Sequence, residues 1–260
     1  GTDLASLKTK AVHENNNWLI NGQKMWTSLA EYSDYIWLAV RTNPDSGDHK
    51  GLSIILVPNN SKGISITPIY TLGDVRTNAT FYDNVVVSDK FLIGTKNKGW
   101  ELITSQLNRE RLSLVNNAPL EKILADVIDW AKNATTDNGG KLIEEDWVQN
   151  NLATVESGTE ALKLLCWKQA WAMTKNELHM ADASVAKVYG SEFFIEAYRL
   201  LMEVLGEQSL LSQKSEQNVL EGRLEMLYRV SSILTFGGGT NEIQRDIISM
   251  AGLSMPREKR

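Results

Sequence analysis

The stretch Trp100-Glu-Leu-Ile-Thr-Ser-Gln-Leu-Asn-Arg-Glu-Arg-Leu-Ser-Leu-Val115 marks a change in the pattern of apolar residues. From this stretch to residue 132, apolar residues recur at three- and four-residue steps, which is the period of an α-helix. On its N-terminal side, short apolar runs alternate with turn-rich segments and show no helical period. We therefore predict an α+β protein, with β-structure first and helices after it.

The N-terminal part, residues 1–95, is predicted to be a β-domain. Asn21-Gly22 separates its first two apolar runs and is typical of a tight hairpin turn, because both residue types tolerate positive φ. Short strands separated by turn signals, with no helix between them, favour an antiparallel sandwich or barrel. The candidate strands are residues 18–20, 23–26, 35–40, 52–57, 64–67, 79–82 and 85–87.

The C-terminal part, residues 96–260, is predicted to be an antiparallel four-helix bundle. Long helical patterns joined by short polar breaks are typical of such bundles. A last helix is predicted after Gly237-Gly-Gly239, with Thr240 or Asn241 as its N-cap. The long helical patterns cover residues 99–132, 144–175, 181–205 and 215–235.

Composition excludes several classes of function. The net charge is -5 and no long basic run is present, which argues against nucleic acid as a partner. A single cysteine, Cys166, excludes an intrachain disulfide and any cysteine-based zinc site, and no spacing of His, Asp or Glu predicts a metal site. No apolar run reaches the roughly 18 residues of a membrane span. We expect a reducing compartment, the cytoplasm or a mitochondrial matrix.

The charged group Asn108-Arg-Glu-Arg111 lies inside an apolar helical pattern. Because leucines flank it on both sides, we predict that part of the group lies close to the buried face. Partial burial raises the pKa of a glutamate by desolvation, which would make Glu110 a candidate general base. The alternative is an exposed salt-bridge patch around Glu110, and the residues alone favour it.

Two further segments are candidate binding sites. Phe236-Gly-Gly-Gly-Thr-Asn-Glu-Ile-Gln244 leads three glycines into a helix, where backbone N–H groups can approach a phosphate; a flexible loop with a capping glycine is the alternative. Trp26-Thr-Ser28 follows a predicted strand and places a large ring beside two hydroxyls, which suits a flat ligand with polar edges. Its alternative is a core tryptophan with a capping hydroxyl.

Taken in order, four segments resemble the acyl-CoA dehydrogenase family over nearly the whole chain. Gly1-Thr-Asp-Leu-Ala-Ser-Leu7 looks like the end of its Glu-Pro-x-Ala-Gly-Ser-Asp segment, and Ile20-Asn-Gly-Gln-Lys-Met-Trp-Thr-Ser28 is close to its most recognisable β-domain stretch. Phe81-Tyr-Asp-Asn-Val-Val-Val87 resembles its Phe-x-Asp-Val-x-Val-Pro strand, with Ser88 in place of the proline. Gly239-Thr-Asn-Glu-Ile-Gln-Arg245 resembles its Gly-Thr-x-x-Ile-Gln-Arg signature.

The resemblance implies FAD-dependent α,β-dehydrogenation of an acyl-CoA thioester, with an electron-transfer flavoprotein as electron acceptor. An acyl-CoA oxidase is the alternative activity. It differs from a dehydrogenase mainly in that oxygen reaches its reduced flavin. The implied FAD contacts are Trp26, Thr27 and Ser28 around the isoalloxazine, and Thr240 and Glu242 on the phosphate and adenosine side. The implied substrate contacts are Thr2, Arg111 and Gly238.

The catalytic base is assigned by the same resemblance. Many members carry a glutamate directly before the Gly-Thr pair, where this chain has Gly238. Others carry it on the long helix in the pattern Leu-x-x-Glu-Arg-Leu, which matches Leu107-Asn-Arg-Glu-Arg-Leu112. The resemblance therefore makes Glu110 the base and leaves room beside Gly238 for a bulky or branched acyl group.

The chain departs from the family pattern in three places. The Arg-x-x-Phe-Gly segment, which contacts FAD across a subunit interface, is represented by Thr136-Asp-Asn-Gly-Gly140, and Gln-x-x-Gly-Gly by Glu203-Val-Leu-Gly-Glu207. The family's N-terminal helical domain has no counterpart, so we expect a truncated chain or a domain supplied from elsewhere. These departures leave two expectations open: a homo- or hetero-oligomeric enzyme (dimer or tetramer), or a catalytically silent subunit of a heteromer.

Overall fold

The computed structural model describes residues 3–256 and divides the chain into two compact units, residues 1–107 and residues 108–260. Thr2, which the resemblance places at the substrate, lies outside the described residues. The predicted domain boundary at residues 95 and 96 stays a prediction.

The first unit is built on one seven-stranded sheet with the order β5-β6-β2-β1-β3-β4-β7. Every strand pair is antiparallel except β1 and β3, which pair in parallel through Lys10 and Arg41. The strands are β1 (Lys10–Glu14), β2 (Asn17–Lys24), β3 (Tyr35–Arg41), β4 (Leu52–Pro58), β5 (Ile64–Tyr70), β6 (Arg76–Ser88) and β7 (Leu92–Ile93).

One face of this sheet forms the core of the first unit. Residues of alternating position along β2 and β6 point to it, since successive side chains of a strand face opposite sides. Trp18 and Ile20 of β2 and Val85 and Val87 of β6 are all buried there. The remaining buried members of this core are Ala11, Ile36, Leu38, Val40, Ile55, Val57 and Tyr82.

The predicted hairpin turn at Asn21-Gly22 is wrong. The turn between β1 and β2 is formed by Asn15 and Asn16, whose φ angles are 48° and 60°. Gly22 lies inside β2 with φ 142°, and the pairing register between β2 and β6 shifts between Ile20 and Gly22. A Cβ on Gly22 would lie 2.7 Å from Thr9 Cα, so the close backbone approach requires glycine here. The extra residue of the register shift lies in β6, where Asp83 and Asn84 stand opposite the single residue Asn21.

The helices follow in chain order and form the C-terminal part. The pattern over 99–132, read as one helix, forms two: α1 ends at Leu114 and α2 begins at Ala118. Pro119 lies in the first turn of α2, where its missing N–H costs nothing, but a proline there cannot continue an earlier helix. The helices are α1 (Gly99–Leu114), α2 (Ala118–Asn133), α3 (Asp146–Thr174), α4 (Met180–Leu205), α5 (Arg223–Ser231) and α6 (Asn241–Ile247).

The second unit has its own apolar core between α2, α3, α4 and α5. Helix α4 contributes most to it, from Phe194 to Leu205. The predicted fold class, an antiparallel β-domain followed by a C-terminal helical bundle, is confirmed. Within residues 3–256, none of the helices combines the length and the hydropathy of a membrane-spanning segment.

The close approach at Gly22 generates a stability prediction. We expect Gly22→Ala to lower the free energy of unfolding by about 2–4 kcal/mol, because the new Cβ meets the Thr9 backbone at an unfavourable φ. Gly139→Ala is the matched control, since Gly139 also has positive φ (82°) but nothing lies within 4 Å of a Cβ there. We expect it to cost about 1 kcal/mol. Urea unfolding of both variants checks this, and equal losses would contradict it.

Candidate functional site

In the first unit, Trp26 lies just beyond β2 with its side chain 63% exposed. Its φ of 63° turns the chain sharply after the strand ends at Lys24. The alternative of a core tryptophan is therefore wrong. An indole held at a sharp turn, with an open face, can pack against a flat ligand.

The two hydroxyls that follow Trp26 are fixed to strand β6. Thr27 Oγ1 lies 3.3 Å from Thr80 Oγ1, and Ser28 Oγ lies 3.0 Å from Thr77 Oγ1. The Thr27 N–H donates to the Asn78 carbonyl at 2.8 Å. The segment from Trp26 to Ser28 is thus held against β6 by both side chains and backbone.

Asn78, Glu31 and Arg76 support this segment, and sequence reasoning missed all three. Asn78 is fully buried, and its Nδ2 donates to the Thr27 carbonyl at 3.0 Å and to Glu31 Oε2 at 2.6 Å. Arg76 Nε lies 3.1 Å from Glu31 Oε1. A backbone hydrogen bond, then Asn78 and Arg76, hold the pKa of Glu31 below its usual value. The sequence signal for this group was the polar residue Asn78 within the run Thr77-Asn-Ala-Thr80 of a buried strand, because a buried polar side chain needs a hydrogen-bond partner.

In the second unit, the structure corrects the expectation for Glu110. Glu110 is exposed on α1, and its neighbour Arg111 is the buried member of the charged group, with 8% of its surface exposed. Burial lowers the pKa of Arg111, and the negative charge of Glu110 partly offsets that effect. The buried member of the charged group is therefore the guanidinium of Arg111 and not the carboxylate of Glu110.

The charged end of α1 meets the glycine turn that precedes α6. Arg111 Nε donates to the Gly238 carbonyl at 3.2 Å, so the end of α1 that carries Glu110 is joined to this turn through Arg111. Gly238 has φ 68°, and a Cβ there would lie 2.6 Å from Leu114 Cδ1. The absence of a side chain at Gly238 therefore leaves room for the Leu114 side chain to pack against the turn.

The predicted N-cap of the last helix is confirmed at Thr240. Its Oγ1 accepts from the Ile243 N–H at 3.3 Å. Glu242 follows, exposed in the first turn, and a backbone hydrogen bond and the Thr240 hydroxyl lower its pKa. Gln244 is fully buried; its Oε1 accepts from Ser184 Oγ at 2.9 Å, while its Nε2 has no partner among the described atoms.

A buried lysine lies beneath this turn, and sequence reasoning missed it. Lys187 on α4 is 0% exposed, and its Nζ donates to Asn241 Oδ1 at 2.7 Å. Burial, and next the charge of Arg111, lower the pKa of Lys187 to about 8, while Glu242 and Glu192 act in the opposite direction.

A signal for Lys187 was present in the sequence. Ala183 lies four residues before it and Gly190 three residues after it, so small residues share its side of the helix. Both are buried in the structure. A lysine on a helical stripe of small residues is therefore a candidate for burial.

Family models describe both parts of the chain. Residues 1–85 match the model "Acyl-CoA dehydrogenase, middle domain", and residues 97–253 match the model "Acyl-CoA dehydrogenase, C-terminal domain". The chain is similar over its full length to two curated proteins of Mycobacterium tuberculosis: acyl-CoA dehydrogenase FadE26, at 49% identity, and acyl-CoA dehydrogenase FadE29, at 39% identity. It spans 66% of the length of each.

Solved structures have the same fold. The ChsE4-ChsE5 complex from Mycobacterium tuberculosis contains a chain that is 50% identical, with a TM-score of 0.92, over 99% of this chain and 67% of that one. A chain of the Tcur3481-Tcur3483 steroid ACAD is 43% identical, with a TM-score of 0.92, over 99% of this chain and 66% of that one.

The buried Lys187 generates a prediction of pH dependence. Its pKa is about 8 in the folded protein and keeps the ordinary 10.5 in the unfolded chain. Between these values the unfolded state holds more protons, so the stability of the wild type rises with pH relative to Lys187→Met. The shift corresponds to about 3 kcal/mol, since one pKa unit is about 1.4 kcal/mol.

Denaturant unfolding of both proteins at a series of pH values measures this difference. Lys24, whose pKa burial also lowers to about 8, contributes equally to the two proteins and cancels. Parallel curves of stability against pH would show that Lys187 is not buried as a charged group.

Proposed function

The chain belongs to the acyl-CoA dehydrogenase family, and from this premise we propose that its protein catalyses FAD-dependent α,β-dehydrogenation of an acyl-CoA thioester. The observation that carries the proposal is the hydrogen bond from Arg111 to the Gly238 carbonyl, which joins the Glu110 segment to the glycine turn. Because the chain spans 66% of its curated relatives, the activity is proposed for the whole protein.

The described residues fit FAD in each unit taken separately. The exposed Trp26 ring and the fixed hydroxyls of Thr27 and Ser28 suit the isoalloxazine, which is flat with polar edges. Thr240 and Glu242 would hold the phosphate and adenosine side, because the three glycines before them let the backbone approach a phosphate closely. Gln244 Nε2, buried without a partner beside Gly239, adds a hydrogen-bond donor below this turn.

The proposed chemistry breaks two C–H bonds and forms one C=C bond. The thioester carbonyl acidifies the α-proton, and the Glu110 carboxylate removes it as general base. FAD, when bound, supplies the two-electron acceptor for the β-hydride at flavin N5. Glu110 is exposed in this chain, so bound substrate would cover it and exclude water during proton removal.

We propose a bulky or branched acyl group as substrate, with Thr2, Arg111 and Gly238 on the substrate side. Support comes from the similar structure named a steroid ACAD. The similar chains also occur in complexes of two differently named proteins, ChsE4-ChsE5 and Tcur3481-Tcur3483, which supports a hetero-oligomer. We further propose an electron-transfer flavoprotein as the electron acceptor.

One observation favours the alternative of a catalytically silent subunit. Residues 136–140 stand where the family has Arg-x-x-Phe-Gly, and they form a tight turn. The Thr136 N–H donates to the Gly140 carbonyl at 2.9 Å, and the Gly140 N–H donates to Thr136 Oγ1 at 3.1 Å. This tight turn carries no arginine for FAD. A silent subunit would bind no flavin of its own.

The visible spectrum of the purified full-length protein, recorded without a partner subunit so that any flavin belongs to this protein, tests the function. We expect a flavin spectrum that bleaches on anaerobic addition of a bulky acyl-CoA and changes little with a short straight-chain one. Bleaching identifies the reductive half-reaction directly. A protein that stays colourless after addition of FAD would contradict the proposal and favour the silent subunit.

The role of Glu110 has its own test. We expect Glu110→Gln to keep flavin bound and to slow bleaching by about 10²- to 10⁴-fold, the usual contribution of a general base. Glu101→Gln is the matched control, since Glu101 is an exposed glutamate in the first turn of the same helix. Stopped-flow reduction measures both variants. Bleaching of Glu110→Gln at the wild-type rate would exclude Glu110 as the base.

A further inference from the structure

The first residue of α6 is held by a charged group that has no access to solvent. Asn241 is 4% exposed, and its Oδ1 accepts from Lys187 Nζ at 2.7 Å and from Ser191 Oγ at 3.1 Å. Its Nδ2 donates to Glu192 Oε1 at 3.1 Å. Asn241 is therefore fixed from both ends of its side-chain amide by residues of α4.

The glycine turn that ends at Asn241 has little local structure of its own to fix its conformation. Three glycines precede Thr240, two of them at positive φ, and such residues leave the backbone with more conformations than any others. Helix α6 has only 7 residues, and isolated helices of that length do not persist in water. The conformation of this turn must be imposed by contacts from other helices.

Two such contacts come from opposite ends of the turn. Arg111 of α1 donates to the Gly238 carbonyl, and Lys187 of α4 donates to the Asn241 side chain. Thr240 lies between these two anchors, and Glu242 directly follows the second. Both donors are buried and charged, so each hydrogen bond is of the strong, charge-assisted kind.

Burial of Lys187 as a cation costs the fold free energy, as its lowered pKa indicates. A buried ammonium ion loses its hydration, and an apolar side chain of similar shape at such a site is often neutral or stabilising. Its position therefore requires an explanation other than packing.

We propose that Lys187 is a positioning residue that, through Asn241, holds Thr240 and Glu242 in the arrangement that receives the phosphate and adenosine side of FAD. The inference rests on the proposed function, because it takes FAD as the ligand of this turn. Lys187 acts through Asn241 and has no contact with the reacting atoms.

The test compares Lys187→Met with the wild type in the full-length protein, both without and with FAD. Methionine keeps the linear shape of the side chain and removes the charge and the donor. We expect an unchanged or higher Tm, faster hydrogen exchange at residues 240–245 of the apoprotein, and a Kd for FAD raised about 10- to 100-fold, the usual effect of losing a charge-assisted hydrogen bond. A role in stability alone would instead lower the Tm.

Lys168→Met is the matched control. Lys168 is an exposed lysine on α3 that pairs with Asp182 at 3.4 Å. The same substitution there also removes a lysine charge, but one that lies at the surface, unlike the charge of Lys187. We expect its Kd for FAD and its exchange at residues 240–245 to equal those of the wild type. Wild-type FAD affinity and exchange in Lys187→Met would overturn the proposal.

Asn241→Ala approaches the same hydrogen bond from its other end. Because Lys187 is proposed to act through Asn241, the losses of FAD affinity in Lys187→Met, Asn241→Ala and the double variant should be clearly non-additive. Additive losses would overturn the proposal. If Lys187→Met does not fold, that result itself overturns it, since the residue would then serve the fold.

The exchange measurement also separates the two proposals. A wild-type protein that binds no FAD would contradict the proposed function. Faster hydrogen exchange at residues 240–245 in apo Lys187→Met would still support the inference that Lys187 fixes the conformation of this turn. Unchanged exchange there would overturn that inference.

Discussion

The hydrogen bond from Arg111 Nε to the Gly238 carbonyl connects segments that lie 127 residues apart in the sequence. A buried guanidinium needs acceptors, and a turn of three glycines needs something to fix it, so one contact satisfies both requirements. The placement of Glu110 and of Thr240 in the second unit follows from it. Lys187 of α4 makes an equivalent contact to the Asn241 side chain, and together the two cations define the turn.

Much of the fold could be predicted because it depends on local patterns. The change from strand-like to helical periodicity at Trp100 separated the two kinds of structure, and Thr240 as N-cap followed from its place after the glycines. The errors arose where distant residues decide the local structure. Asn21-Gly22 has the composition of a turn, but it lies inside β2, where the glycine is needed because Thr9 approaches the backbone closely.

The candidate site was less predictable than the fold. The sequence showed which residues flank Glu110 but not which member of the charged group would be buried, and the structure buries Arg111. Residues that act through others, such as Asn78 and Lys187, belong to no motif and are identified only by their burial and partners. Roles at the flavin and the substrate came from resemblance to a family, and geometry alone would have left them open.

The close approach at Gly22 has a consequence for the length of β2. Side chains alternate between the two faces of a sheet, so the removal of one residue from a strand reverses that alternation for everything that follows. Deleting any one residue between Ile20 and Lys24 would therefore turn Trp26 toward the opposite face of the sheet from the one on which it now lies. Natural variation in this strand should replace residues freely at exposed positions, yet insertions and deletions should be almost absent from it.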